Sequence, residues 1–434
     1  MVKISRNTKS STRRKSRKWL LLIPSFMLLA FLLYAFLFFS GRLTEETTAL
    51  DEIFSSGQPP DDNAKDTKKA QGIVYPYPAP DGATPIMKPA FGAHRLHADA
   101  VFALAEGHDL QTFIPFVESL KSTEFTGDLV LGISAMDQLK PGVEQYLKSH
   151  DDDGINVVAY TSTWICHDGQ GKIVQGANSG IRPCKLVGMF ADEKKGGVIK
   201  DPREARPVAT ARYDLYWCWS LNYSKHSWIM LIDSRDTYFQ LHPFVTVQRE
   251  SNPKRPDGLL YLFEENAEVS RIKDSSYNRR WLNGAYGKEK VKSFSNKAII
   301  CSGSTMGEQV AIESYLRGMV AQFDNTKCKM KGCDQGFHNY LWYSGELSKA
   351  QGVREVIVSE QGKGIINNLA VLRTKPLREW GILNEFNGTI EVLNWDKSVS
   401  AVAHQYDRDK EMNTFIKGVR KQLIKTYAAE MKKT

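Results

Sequence analysis

The chain has no C-x-x-C pair, no internal repeat and no clear small-x-small cleavage site after its one long apolar run. The first absence, with irregular spacing among the six cysteines, argues against a structural zinc site. The second excludes solenoids and propellers, and the third sets aside a cleaved signal peptide. Net charge is nearly lacking once the N-terminus is removed. The 58 basic and 49 acidic residues give +9, but Lys3, Arg6, Lys9, Arg13, Arg14, Lys15, Arg17 and Lys18 all precede the apolar run, and everything after them carries +1. A nucleic-acid footprint needs basic residues concentrated on the folded domain, so nucleic acid is not expected as a partner.

What is present begins with topology. Trp19 to Phe39 is uncharged and apolar, about twenty residues long, enough for one membrane-spanning helix. The basic residues precede it, whereas Glu45 and Glu46 soon follow, so the positive-inside rule keeps the N-terminus cytosolic and places the remainder in a lumen or outside. The expected organisation is a basic cytosolic tail over 1–18, a type II signal anchor over 19–40, a flexible stem over 41–93 rich in Thr, Ser, Pro and Gly, and a lumenal domain over 94–434. An even number of cysteines on the oxidising side suggests disulfides, with Cys166–Cys184 and Cys328–Cys333 as plausible local pairs among fifteen pairings. Asn222-Tyr-Ser and Asn387-Gly-Thr are glycosylation sequons.

In the lumenal part, apolar runs of strand length alternate with helical patterns. Val101–Ala105, Leu129–Ile133, Ile155–Tyr160 and Trp228–Ile232 read as strands, with helices at Leu110–Leu120, Val143–Leu147 and Arg212–Leu221. Further strands are expected at Leu259–Phe263, Ala298–Cys301 and Leu369–Leu372. Helices are expected near Gly307–Met319, Asp334–Trp342 and in the basic tail Asp407–Lys433. This order predicts an α/β fold with a mainly parallel sheet and helices on both faces.

The run Ser227-Trp-Ile-Met-Leu-Ile ends in Asp233 and Asp236, with Arg235 between them. Carboxylates at the C-terminal end of a central strand project into the crevice where such sheets bind ligands, and they suit Mn²⁺ or Mg²⁺. Acids in this position also cap helices or solvate loops. Here, however, the aromatic Tyr238–Phe244 segment that follows puts them at a strand-to-loop junction.

Leu231-Ile-Asp-Ser-Arg-Asp-Thr-Tyr-Phe-Gln240 with Pro243-Phe244, Ser302-Gly303-Ser304 after a strand, Cys333-Asp-Gln-Gly336 with Asn339, and Ala403-His-Gln-Tyr-Asp-Arg408 occur in that order. Together they resemble Golgi-type glycosyltransferases of the glycosyltransferase-A fold, over about Val101 to Arg408. The resemblance implies a Golgi membrane enzyme that moves a sugar from a nucleotide-diphosphate donor to a glycan or glycoconjugate acceptor. It assigns Asp233, Asp236 and His404 to the metal, although the acids stand one residue further apart than the usual D-x-D. It gives Ser302 and Gly303 to the sugar pocket, has Asp334 bind a sugar hydroxyl, and sets Gln335 near the anomeric carbon. Asp334 and Gln335 are accordingly the expected catalytic residues, and a retaining reaction is slightly preferred.

Other readings stay open beside these. Gly303 also suits a plain turn, Asp334 an N-cap, and His404 a core position. Arg235 is the expected cation for the diphosphate, or else a scaffold partner for Asp236. The turn Glu106–Asp109 is expected to offer backbone N–H groups to the nucleotide, and Glu264, Glu265 and Asp334 are candidate bases for an inverting reaction. A metal-dependent phosphohydrolase or nucleotidyltransferase could use the same acids, and the aromatic run Tyr213–Trp219 could in a non-catalytic lectin stack on glycan.

Overall fold

The computed structural model describes residues 72–150, 154–168, 172–175, 182–244, 247 and 257–430. The expected tail and anchor, and most of the stem, lie outside these residues, and no helix among the described residues is long and apolar enough to cross a membrane.

A seven-stranded sheet organises the chain. Its strands are β1 (Ala100–Leu104), β2 (Asp128–Ser134), β3 (Asn156–Ser162), β4 (Trp228–Ile232), β6 (Leu259–Glu264), β7 (Ile300–Glu308) and β8 (Glu355–Ser359), in the spatial order β8-β6-β7-β4-β1-β2-β3. Six strands run one way; β7 alone is antiparallel to both neighbours. The mixed α/β, parallel-rich architecture therefore matches the sequence expectation. A second sheet of three short strands, β5 (Thr237–Phe239), β10 (Val402–His404) and β9 (Ile366–Asn368), stands in that order beside the first.

Strands buried on both faces must be apolar throughout, and β4 meets this condition, every residue from Trp228 to Ile232 being buried. At roughly 1.5–3 kcal/mol per large apolar side chain, this strand is among the most firmly held parts of the fold. Helices α3 (Val208–Ser220), α5 (Gln309–Thr326) and α6 (Cys333–Tyr343) cover one face of the sheet. The other face is covered by α1 (Leu110–Lys121), α2 (Val143–Lys148) and α7 (Lys410–Glu430). Tyr213, Trp217 and Trp219 lie in the first of these layers and are almost wholly buried, which removes the aromatic run as a surface for stacking glycan.

Three features depart from the sequence reading. The segment Leu369–Leu372 is not a strand: β9 precedes it, and Ala370–Thr374 turns into a 3₁₀ helix once the Leu369 amide has bonded to the His404 carbonyl. Helix α4 (Ser276–Phe294), unanticipated, carries few apolar residues and breaks its helical path at Gly287, where φ is 80°. The folded unit also starts before residue 94. Ile73 bridges to Ala350, Tyr75 is buried against α5, and the Ala90 amide and Phe91 carbonyl bond to Ala159 on β3. Residues 72–93 are thus part of the domain, because their scattered aromatic and aliphatic side chains find slots that composition alone does not show.

Both expected local disulfides, Cys166–Cys184 and Cys328–Cys333, are formed, and Cys218 and Cys301 remain buried thiols. The sequon at Asn387 occupies the exposed tip of the Leu383–Phe386/Thr389–Val392 hairpin, whereas the Asn222 amide bonds to the last carbonyls of α3.

Candidate metal centre

The crevice forms where β1 and β4 lie side by side and their connections diverge, the place at which open α/β sheets bind ligands. Ser234, just past β4, donates to the Leu104 carbonyl at 3.3 Å, and His108 of the loop after β1 meets the Ser234 hydroxyl at 3.1 Å. Burial, with help from Arg235, pushes His108 down to about 4, so its ring is neutral here. Part of the backbone of this loop, which was expected to offer N–H groups to a nucleotide, is already used, the His108 N–H bonding to the Ala105 carbonyl. The Gly107 N–H is taken by Ser134, and Asp109 spends its carboxylate capping α1 through Thr112.

Asp233 leaves β4 with its N–H still bonded to the Gly303 carbonyl, which fixes where its carboxylate begins. Asp236, three residues on, opens β5, and its carbonyl accepts the Gln405 N–H at 2.6 Å. The antiparallel pairing of β5 with β10, with Thr237 opposite His404, then sets the imidazole beside both acids. One atom from each of Asp233, Asp236 and His404 falls within 4.8 Å of the others. Residues 171 positions apart in sequence thus form one three-ligand group. Asp233 is open to solvent on its crevice side, at 40% side-chain exposure, whereas Asp236 is 6% and His404 0% exposed.

Three observations show that this group can hold a divalent cation. First, the His404 tautomer is set: Asn368 donates through its amide nitrogen to the Phe263 and Glu264 carbonyls, so its oxygen faces Nδ1 at 2.8 Å and must accept that proton. Second, the Nε2 lone pair is buried with no hydrogen-bond partner among the described residues, 3.9 Å from Asp236 Oδ1, an arrangement that costs free energy unless an electrophile fills it. Third, Gly303 keeps the space clear, since a Cβ there would lie 2.6 Å from Asp233 Oδ2 and 3.0 Å from His404 Cε1. The glycine serves a close approach rather than a turn.

Electrostatics separate the two acids. Burial alone would raise Asp233, but the Arg212 guanidinium in contact with it, helped by Arg235, holds it below the usual carboxylate range. Asp236 goes the other way, raised by burial and by the nearby Asp233 charge despite Arg235. Arg235 pairs with Asp236 at 2.9 Å and approaches Asp407 at 3.6 Å; it is therefore already engaged with the acids, and half-exposed.

Arg212, on α3, was not singled out in the sequence. It is nearly buried and bridges Asp233 to Asp334, the latter at 3.2 Å. Only its place on the inward side of the Arg212–Leu221 helix pattern could have signalled it, and an arginine inside an aromatic run reads first as packing. Asn368 was likewise missed, since a lone asparagine in a short strand carries no motif.

The remaining expected residues divide. Asp334 lies in the first turn of α6 after Gly332, whose φ of 92° makes the left-handed entry, and its Oδ2 meets Arg212 and the Ser302 hydroxyl while Oδ1 is buried with no side-chain partner among the described residues. Burial and Asp233 raise its carboxyl. Gln335 does not fit the role expected of it. Its oxygen accepts the Ser302 N–H at 2.8 Å and its nitrogen donates to the Ile300 carbonyl, so both ends of the amide hold α6 onto β7. Asn339 adds a reciprocal pair with the Ile300 backbone. Of the two residues expected in the sugar pocket, Gly303 lies against Asp233 and His404, and the Ser302 hydroxyl meets Asp334. Glu264 and Glu265, at the end of β6, are each pushed up to about 7 by burial.

No family model matches the chain, and no curated protein resembles it significantly. Among solved structures 32 chains match. One of these is the WbbM bifunctional glycosyltransferase in its apo form, 10% identical, with 64% of this chain aligned at a TM-score of 0.35. The alignment spans 41% of that chain's length. A superposition of that quality settles neither fold nor function.

Proposed function

We propose that the chain is a metal-assisted glycosyltransferase that takes a nucleotide-diphosphate sugar as donor and a glycan or glycoconjugate as acceptor. One observation carries the reading. Two carboxylates and a tautomer-locked histidine with an orphaned nitrogen converge at the C-terminal edge of a central strand, in the crevice where such sheets bind nucleotides. Two oxygen donors and one imidazole suit Mn²⁺ or Mg²⁺. Such an ion, held by Asp233, Asp236 and His404, would neutralise the donor diphosphate and make it a better leaving group.

The chain's own groups do the rest. Arg212 fixes the position of Asp233 and Asp334 together, so that the metal side and the sugar side of the site share one rigid brace. Asp334 Oδ1, buried with no side-chain partner among the described residues, is an acceptor for a sugar hydroxyl. Arg235, at the open rim, would reach the departing phosphate only by leaving its pairing with Asp236. Glu264 and Glu265, poised near neutrality, are the available bases for an inverting reaction; a retaining one needs none in that place and remains our preference. We place its catalytic domain on the lumenal side of a membrane on the strength of the N-terminal charge pattern, and in the Golgi on the strength of the sequence resemblance alone.

The test is thermal protection of the full-length protein by a panel of nucleotide sugars, with and without Mn²⁺, repeated with Asp236→Asn. A ligand at one hundred times its dissociation constant adds about 2.7 kcal/mol to the folded state. The reading requires one nucleotide sugar to protect the wild type only with metal, and the variant to lose that response. Release of inorganic phosphate or pyrophosphate without an acceptor would point to a phosphohydrolase or nucleotidyltransferase instead.

A further inference from the structure

A cavity of about 730 Å³ opens behind Arg408, walled by Arg373–Pro376, Ile390 and the first turns of α7. Arg408 stands between this cavity and the metal group: its guanidinium lies 3.7 Å from Asp236 on one side and lines the cavity on the other. The wall is cationic, with Arg373, Lys375, Arg408 and Lys410 against Asp409 and Glu411.

The two acids are already committed. Asp409 accepts the Leu377 and Met412 N–H groups, and Glu411 is held by Arg378 from outside the cavity. Arg408 is partly neutralised by Asp407. Among the described residues no carboxylate lies within ion-pair distance of Arg373, Lys375 or Lys410. Lys375 sits 3.9 Å over the Trp380 ring, and Arg373 acts on Glu265 only at longer range. With Glu411 offset by Arg378, the cations Arg373, Lys375 and Lys410 outnumber the remaining carboxylate Asp409 and leave the concave space with an excess of positive charge. The lining also has apolar members, Pro376, Ile390 and Phe415, as suits the flat face of a sugar ring or an alkyl chain. This concentration stands out because the chain beyond its first eighteen residues carries a net charge of only +1.

We infer that this cavity is the acceptor subsite, and that it selects acceptors bearing an oxyanion, a phosphate or a carboxylate, next to the hydroxyl that is glycosylated. The inference rests on the glycosyltransferase reading for the word acceptor, but not for the binding itself. Arg373, Lys375 and Lys410 take the anion, the apolar lining takes the body of the acceptor, and Arg408 marks the passage to the reacting centre.

The experiment measures binding of glucose, glucose 6-phosphate and glucuronic acid to the full-length protein, without metal or donor, by calorimetry at low and at high salt. Both anionic sugars should bind at least about tenfold more tightly than glucose, and the preference should shrink at high salt. Lys375→Ala with Lys410→Ala should remove it, at up to about fivefold per cation, while Mn²⁺ binding at Asp233 and Asp236 stays as in wild type. Preference for only one of the two anions identifies its source as phosphate or carboxylate. Equal affinity for neutral and anionic sugars, or a preference that survives the double variant, overturns the inference. If the anion preference holds and no nucleotide sugar binds, the cavity stands and the glycosyltransferase reading falls.

Discussion

Replacing Gly303 by alanine separates the metal centre from the stability of the fold. Gly303 sits in β7 without a left-handed φ, so an alanine adopts its backbone conformation unstrained and, through the unfolded chain, contributes about 0.4–1 kcal/mol of stability. The cost falls on the site. The new Cβ would be 2.6 Å from Asp233 Oδ2, where ordinary contact begins at 3.4 Å, and so the carboxylate must retreat by about 0.8 Å. Metal sites tolerate displacements of only about 0.2 Å in ligand distance, and Asp233 cannot easily compensate, held as it is by Arg212 and by its own N–H on Gly303. We expect Mn²⁺ affinity to fall by about 10–100-fold, the range seen when groups orienting metal ligands are lost. The metal-free melting midpoint should stay within a few degrees of wild type. Free Mn²⁺ measured by electron paramagnetic resonance during a titration, beside a calorimetric melt of the metal-free protein, gives both numbers. An affinity within twofold of wild type would refute the cradle, and a large drop in the metal-free melt would mean that Gly303 serves packing instead.

Two further outcomes follow from buried carboxyl groups. Asp128 is fully buried and accepts from the Arg95 backbone and side chain, Asn156 and Tyr223; Asp128→Ala strands these donors, of which Arg95 can turn to solvent, and should cost about 1–3 kcal/mol in urea unfolding, an unchanged stability being incompatible with this network. Glu264 and Glu265 have folded pKa values near 7, above the ordinary 4.5. Their contribution is therefore fully present below about pH 4.5 and is lost as pH rises through 7. The double variant Glu264→Gln, Glu265→Gln should accordingly gain melting temperature over wild type at pH 8 compared with the same difference at pH 4.5, and an unchanged difference between the two pH values would show that these carboxyls ionise freely.

The central sheet was legible because its strands are buried on both faces and read as unbroken apolar runs. Trp228–Ile232 could be nothing else, and the acids that end it announced a site. The reversed direction of β7 was not legible, since pairing sense depends on connections whose path the sequence does not state. His404 was found through a motif, but its partner Asn368 was not, because the hydrogen bond that fixes the tautomer exists only after β9 and β10 lie side by side. Gln335 shows the opposite failure: a residue that a resemblance makes catalytic is here consumed by the backbone of β7. Arg212 escaped notice for the same reason as Asn368, its two acid partners being 21 and 122 residues away.

The docking of residues 90–92 on β3 bears on how the protein behaves at high concentration. β3 is the last strand of the central sheet on its side, and an open strand edge is a template for pairing with another molecule. The Ala90 amide and the Phe91 carbonyl occupy the Ala159 backbone, and Gly92 lets the chain pass so close that any Cβ there would fall 2.0 Å from the Val157 carbonyl oxygen. This short segment is a guard rail: a chain begun at residue 94 would keep Asp233, Asp236 and His404 and yet leave that edge open to its neighbours, so its failure in solution would be aggregation rather than loss of the metal group.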